Sequence, residues 1–171
     1  LSGIVDLRNA GHIREVYADG TSITQIKLPS GSDLTTLSYG ASNQYIVLNN
    51  QKQLTSVDYS QCKEAVTTFA VSDCPNIDGV QMLLDIYNRQ KEVGDVRLVR
   101  IRLSGINLTN APSSMLDVLA ELADGTKFSG VDADGNPIEG SLPSLSGRIV
   151  INGYAYEDSV DVLREAFPSL E

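Results

Sequence analysis

Cysteine, histidine and paired carboxylates are the side chains in this sequence that could carry chemistry. Cys62 and Cys74 are the two thiols and His12 is the single imidazole. A zinc site needs about four such ligands, usually with a C-x-x-C or H-x-x-x-H spacing. Neither spacing occurs, so the two cysteines read as small buried hydrophobes with a weak donor. His12 follows "NAG" in a predicted turn, with no adjacent nucleophile or acceptor for general-base work. Glu157/Asp158 and Asp132/Asp134 are paired carboxylates. They would suit a glycan hydrolase only with a cleft and separated pKa values.

Asp132-Ala133-Asp134-Gly135-Asn136 has the carboxylate density of a calcium loop. An EF-hand needs its glycine at the sixth place. Here Gly135 stands fourth and Pro137 sixth, so the segment reads as a hairpin turn. Asn107-Leu108-Thr109 matches a glycosylation triplet, which carries meaning only in a secreted eukaryotic chain. The expectation is therefore no catalytic residue, no metal and no cofactor. A glycan-active enzyme is the minor alternative.

Charge narrows the partners. The chain carries a formal net charge of −9, with 13 Lys and Arg and no basic run. Tracking phosphates along a nucleic acid takes a cationic stripe, and anionic membranes repel such a chain. No nucleic acid is therefore expected, and no membrane insertion either, because no apolar run approaches the roughly 18 residues of a span. The chain begins on Leu1 without Met and stops just after an apolar residue. The expectation is a piece of a longer protein, with its open ends covered by further chain or by a neighbouring subunit.

What must hold these residues is a repeat. "LTSVDYSQC" and "VTTFAVSDC" place Leu54, Val57, Tyr59, Cys62 and Val66, Phe69, Val71, Cys74 in the same order, L-x-x-L-x-L-x-x-C. Weaker copies are Ile13/Val16/Ala18/Thr21 and Leu98/Ile101/Leu103/Ile106. The six-residue core recurs at Ile23/Ile26/Leu28, Leu34/Leu37/Tyr39 and Tyr45/Leu48/Asn50, the last departing at its third site. "VDLRNA" ends another unit. Apolar residues at alternate positions mark a strand with one buried face. Unit starts at 13, 23, 34, 45, 54 and 66 pair into a period of about 21 residues, the size of one solenoid coil. Each coil would carry two short strands on opposite sides of a flattened spiral. Cys62 and Cys74 would then lie on opposite sides, and no disulfide is expected.

After Asp78, a plausible N-cap, Val80, Leu83, Leu84 and Tyr87 share a helical face. A strand follows in "VRLVRIRL". "SSMLDVLAELADG" puts Met115, Val118, Leu119 and Leu122 on one face, with a capping box at Ser114 and Asp117 and a stop at Gly125. "GRIVING" reads as a strand, and Val160, Leu163 and Phe167 share the face of a last helix closed by Pro168. Residues 124–144 break the period and read as an inserted loop or hairpin.

These spacings resemble leucine-rich repeats of the irregular bacterial and phage type. The stretch from "RLSGINL" to "AFPSLE" resembles the end of repeat modules in large virion-associated phage or prophage proteins. The resemblance implies an α/β leucine-rich-repeat solenoid over residues 1–171. Residues 1–78 would form short two-strand coils, and 79–171 strand–helix coils with the 124–144 insertion. It also implies a non-enzymatic binding or structural role, in a virion or at a cell surface, with a protein or a cell-surface glycan as partner. A bacterial adhesin is the alternative setting. Outward strand positions are the candidate binding face: Gln25, Lys27, Tyr45, Arg97, Arg100 and Arg102. A continuous row of such side chains on adjacent strands is what a solenoid offers a ligand.

Overall fold

The computed structural model describes residues 1–105, 115, 117–118, 127–131, 137–141, 149–151 and 154–155. Its frame is a parallel β-solenoid of about three turns. Seven short strands come first: β1 Ser2–Asp6, β2 Glu15–Tyr17, β3 Ser22–Lys27, β4 Thr36–Ser38, β5 Tyr45–Asn49, β6 Ser56–Asp58 and β7 Thr68–Ser72. Helix α1 spans Gly79–Glu92, and β8 spans Arg100–Ser104. Four further strands are β9 Lys127–Val131, β10 Pro137–Ser141, β11 Ile149–Ile151 and β12 Tyr154–Ala155.

Odd and even strands of the first half go to different sheets. The long sheet runs β1-β3-β5-β7-β8-β11-β12, and the short one β2-β4-β6. All neighbours in both are parallel except the final β11–β12 pair. Each of the six unit starts read from the sequence thus leads into a strand, and successive units alternate between the sheets. Ile23, Ile26, Leu34, Leu37, Ile46, Leu48, Phe69 and Val71 point between the sheets and are buried. No coil can bury that face alone, so stacking is the source of the core.

One register differs from the expectation. Ile46 pairs with Phe69 and Leu48 with Val71. The unit therefore reads Asn43/Ile46/Leu48/Gln51, two residues before the frame suggested by Tyr45 and Asn50. Asn43 and Gln51 are polar but buried. Asn43 donates to the Tyr45 carbonyl at 2.9 Å. Gln51 donates to the carbonyls of Pro29 at 2.6 Å and Asn49 at 3.0 Å, and accepts from the Ser32 hydroxyl. The Gln51 amide is engaged at both ends, as burial demands, whereas Asn43 Oδ1 is buried with no partner among the described residues.

Asn50 instead sits in a left-handed column. Gly31, Asn50, Asp73 and Gly105 all have positive φ, between 53° and 71°. Each follows a strand of the long sheet and turns the chain toward the other side. Asn and Asp are the non-glycine residues that tolerate this conformation best. The ladder continues through the column, from Asn50 N–H to Ser72 O at 2.8 Å and from Asp73 N–H to Ser104 O at 3.0 Å.

Helix α1 stands in the chain where a fourth strand of the short sheet would stand. Asp78 caps it by accepting from Gln81 N–H at 2.9 Å. Val80, Leu83, Leu84 and Tyr87 are buried as the helical face requires, and Met82 and Ile86 join them. The helix docks on the β6 coil through Tyr59–Asp85 at 2.7 Å and Arg89–Glu64 at 2.6 Å. Gln90, fully buried, joins three segments. Its amide donates to the carbonyls of Lys63 and Val66, and its oxygen accepts from the N–H groups of Arg97 and Leu98.

Cys62 follows a short-sheet strand and Cys74 a long-sheet strand. Both are free and buried. Their thiols meet the Tyr59 and Ser72 carbonyls at 3.5 Å and 3.3 Å.

In the second half, Met115, Asp117 and Val118 are helical, and Met115 and Val118 are buried. β9 and β10 pair as an antiparallel hairpin inside the 124–144 insertion. β11 supplies the strand read from "GRIVING" and pairs with β8. The Ser114 cap, the Gly125 stop, Leu119, Leu122 and the last helix with Val160, Leu163 and Phe167 lie outside the described residues. The same holds for the turn at Gly135 and Asn136. What stands is a parallel β-solenoid in which α1 is the one complete helix among the described residues; the further strand–helix coils expected over 79–171 lie largely outside them.

Candidate functional site

The register of the long sheet aligns the sequence's candidate residues. Gln25 pairs with Tyr45, Tyr45 with Thr68, and Thr68 with Arg100. Inward residues alternate with them, so Gln25, Tyr45, Thr68 and Arg100 form one row across the outer face. Two residues further along, Val47 pairs with Ala70 and Ala70 with Arg102, and Lys27, two residues beyond Gln25, lines a groove with Val47; together they make a second row. Val47 is 40% exposed, high for a valine in a central strand. Asn49, Ser72 and Ser104 begin a third row.

Arg97 stands apart. It precedes β8, gives its backbone N–H to Gln90 at 2.7 Å, and spends its guanidinium on Asp95 at 2.6 Å. Its role there is to close the turn from α1 into β8.

The face differs in charge from the rest of the chain. Lys27 and Arg100 make no ion pair among the described residues, and Arg102 reaches only Ser104 Oγ at 3.5 Å. Asp6 is the carboxylate paired across from Lys27 in the ladder. It is already engaged by Arg8 at 2.6 Å. The Arg8 side chain, and then its backbone amide, hold the Asp6 carboxyl down at about 2. Asp6 and Arg8 thus largely neutralise each other. Lys27, Arg100 and Arg102 remain as a cationic excess on an acidic protein.

Beside β3 the face dips into a shallow groove of ≈ 270 Å³. Arg8, Gln25, Lys27, Ser30, Val47 and Asn49 line it. Val47, Thr68 and Ala70 did not emerge from sequence reasoning. Thr68 and Ala70 flank Phe69 in a frame already legible from the spacing, and the signal for Val47 was the Asn43/Gln51 frame, which puts it outward. Buried amides at repeat positions hid that frame.

The other candidates do not assemble. His12 Nδ1 lies 3.0 Å from Asp33, both at the surface. No group of three or more His, Cys, Asp or Glu side chains converges on a metal-sized space among the described residues. No helix among them is long and apolar enough to cross a membrane. The Asp132/Asp134 and Glu157/Asp158 pairs and the Asn107 triplet lie outside the described residues.

No protein-family model matches this chain, and no curated protein or solved structure is significantly similar to it. The repeat-type fold therefore rests on the coil register itself.

Proposed function

We propose that this protein is a non-enzymatic recognition module whose working surface is the outer face of the long sheet. The observation that carries the reading is the alignment of Gln25, Tyr45, Thr68 and Arg100 beside Lys27, Val47, Ala70 and Arg102. Unpaired cations, an aromatic ring and an exposed valine on adjacent strands are the groups that a bound partner would use. Parallel strands hold such side chains at a fixed lateral spacing, which suits a broad, shallow contact with a protein or glycan. Its setting in this proposal is a leucine-rich-repeat-like module of a virion-associated structural or host-attachment protein, or of a bacterial surface adhesin.

The test is capture of virion proteins, whole bacterial cells and arrayed glycans by the purified chain. Val47→Glu and Tyr45→Ala alter the face, and Lys63→Ala serves as a control away from it. Saturable binding lost in the face variants and kept in the control supports the reading. Binding indifferent to both face variants moves the site elsewhere. Absence of binding in every arm overturns recognition and leaves a spacer.

A further inference from the structure

Resting on that face as the recognition surface, we infer that its partner is an extended acidic protein segment lying across the strands. In the second row two apolar side chains, Val47 and Ala70, are flanked by Lys27 on β3 and Arg102 on β8. Paired strands lie about 4.8 Å apart, so the Val47 and Arg102 positions stand about 10 Å apart, and Lys27, across the groove from Val47, extends the span between the two cations to about 14 Å or more. An extended chain rises about 3.3 Å per residue. The row therefore matches carboxylates four or more residues apart with a small apolar side chain between them.

The first row completes the fit. Gln25, Tyr45 and Thr68 offer an amide and two hydroxyls beside that track. These are groups that pair with the N–H and C=O groups of an extended backbone. Arg100 adds a second cation at the β8 end. An anionic glycan would meet the same cations. However, Val47 and Ala70 give nothing to its hydroxyls, and Tyr45 is the single aromatic ring in the two rows. The apolar centre favours protein.

Fluorescence anisotropy of the full chain tests this with a labelled synthetic peptide carrying two glutamates four residues apart around a valine. The comparison probes are the same peptide with glutamines, the same with lysines, and heparin. The glutamate peptide is expected to bind roughly three- to tenfold more tightly than the glutamine peptide, and less tightly as salt rises. The double variant Lys27→Glu/Arg102→Glu should lose the glutamate peptide and gain the lysine peptide, a reversal that misfolding cannot produce. Equal binding of glutamate and glutamine peptides, abolished by Val47→Glu, overturns the acidic partner and leaves the face reading intact. Peptide binding untouched by Val47→Glu overturns the face reading. Heparin binding without peptide binding, or no probe binding at all, overturns the protein-segment inference.

Discussion

The side chain of Gln90 donates to the Val66 carbonyl at 2.8 Å, across the junction between α1 and the β6 coil. The same amide serves Lys63 O, and its oxygen holds Arg97 N–H at 2.7 Å and Leu98 N–H at 3.2 Å. One buried residue thus fastens the coil before the helix to the strand after it.

Gln90→Leu would keep the volume and remove every one of these bonds. Several backbone groups at the junction would lose their partners, each buried unpaired group costing about 1–3 kcal/mol. We expect a loss of about 2–4 kcal/mol in urea unfolding. A loss below about 1 kcal/mol would show that water replaces the amide.

Tyr39 makes the opposite case. Its hydroxyl is fully buried and has no hydrogen-bond partner among the described residues. Burial first, and then the nearby thiols of Cys62 and Cys74, push its ionisation far above the usual phenol range. Tyr39→Phe removes a desolvated group and nothing that pairs with it. The variant should be as stable as the parent or more stable, by up to about 1 kcal/mol, in the same unfolding experiment.

Two glycines separate backbone strain from crowding. Gly20 has φ +65°, and an added Cβ would have open space around it. Gly105 has φ +59°, and its Cβ would fall 2.2 Å from Asp73 Oδ1. Gly20→Ala should cost about 1 kcal/mol, the ordinary penalty of the left-handed region. Gly105→Ala should cost roughly twice that, because Asp73 must also move. Comparing the two melting curves reads the difference, and Asp73→Ala in the Gly105→Ala background should recover part of it.

Burial raises the Cys62 thiol from 9.0 to about 12. The folded state holds the thiol neutral more firmly than the unfolded chain does. This contribution to stability is therefore complete below pH 9 and declines as pH climbs from there toward about 12. Serine has no comparable ionisation, so the alkaline fall in stability should be shallower in Cys62→Ser. At pH 8 iodoacetamide should leave Cys62 unlabelled in the native protein and label it after unfolding, as peptide mass spectrometry would show.

Much of the first half was legible because its alternation is simple. Leu34, Leu37, Leu54, Val66, Phe69 and Val71 each occupy the buried slot that their spacing demanded. Asp78 announced α1 and caps it. The frame at Asn43 and Gln51 was hidden because those slots hold buried amides where the other coils hold apolar side chains. The rows on the outer face were legible as residue types and not as an arrangement. Lys27 and Arg102 become neighbours of one track only through the lateral register, and that depends on coils of unequal length. Arg97 looked equivalent to Arg100, and only the turn held by Gln90 and Asp95 sets it apart.

Those unequal coils have an architectural consequence. Ser2 meets Ser22, Tyr45 meets Thr68, and Thr68 meets Arg100. Chain added between successive strands, including the whole of α1, emerges on the opposite flank. The long sheet behaves as a ruler whose divisions are set by the backbone ladder, whatever length of chain lies between two marks. Extra sequence can enlarge one flank of this molecule without disturbing the geometry read on the other.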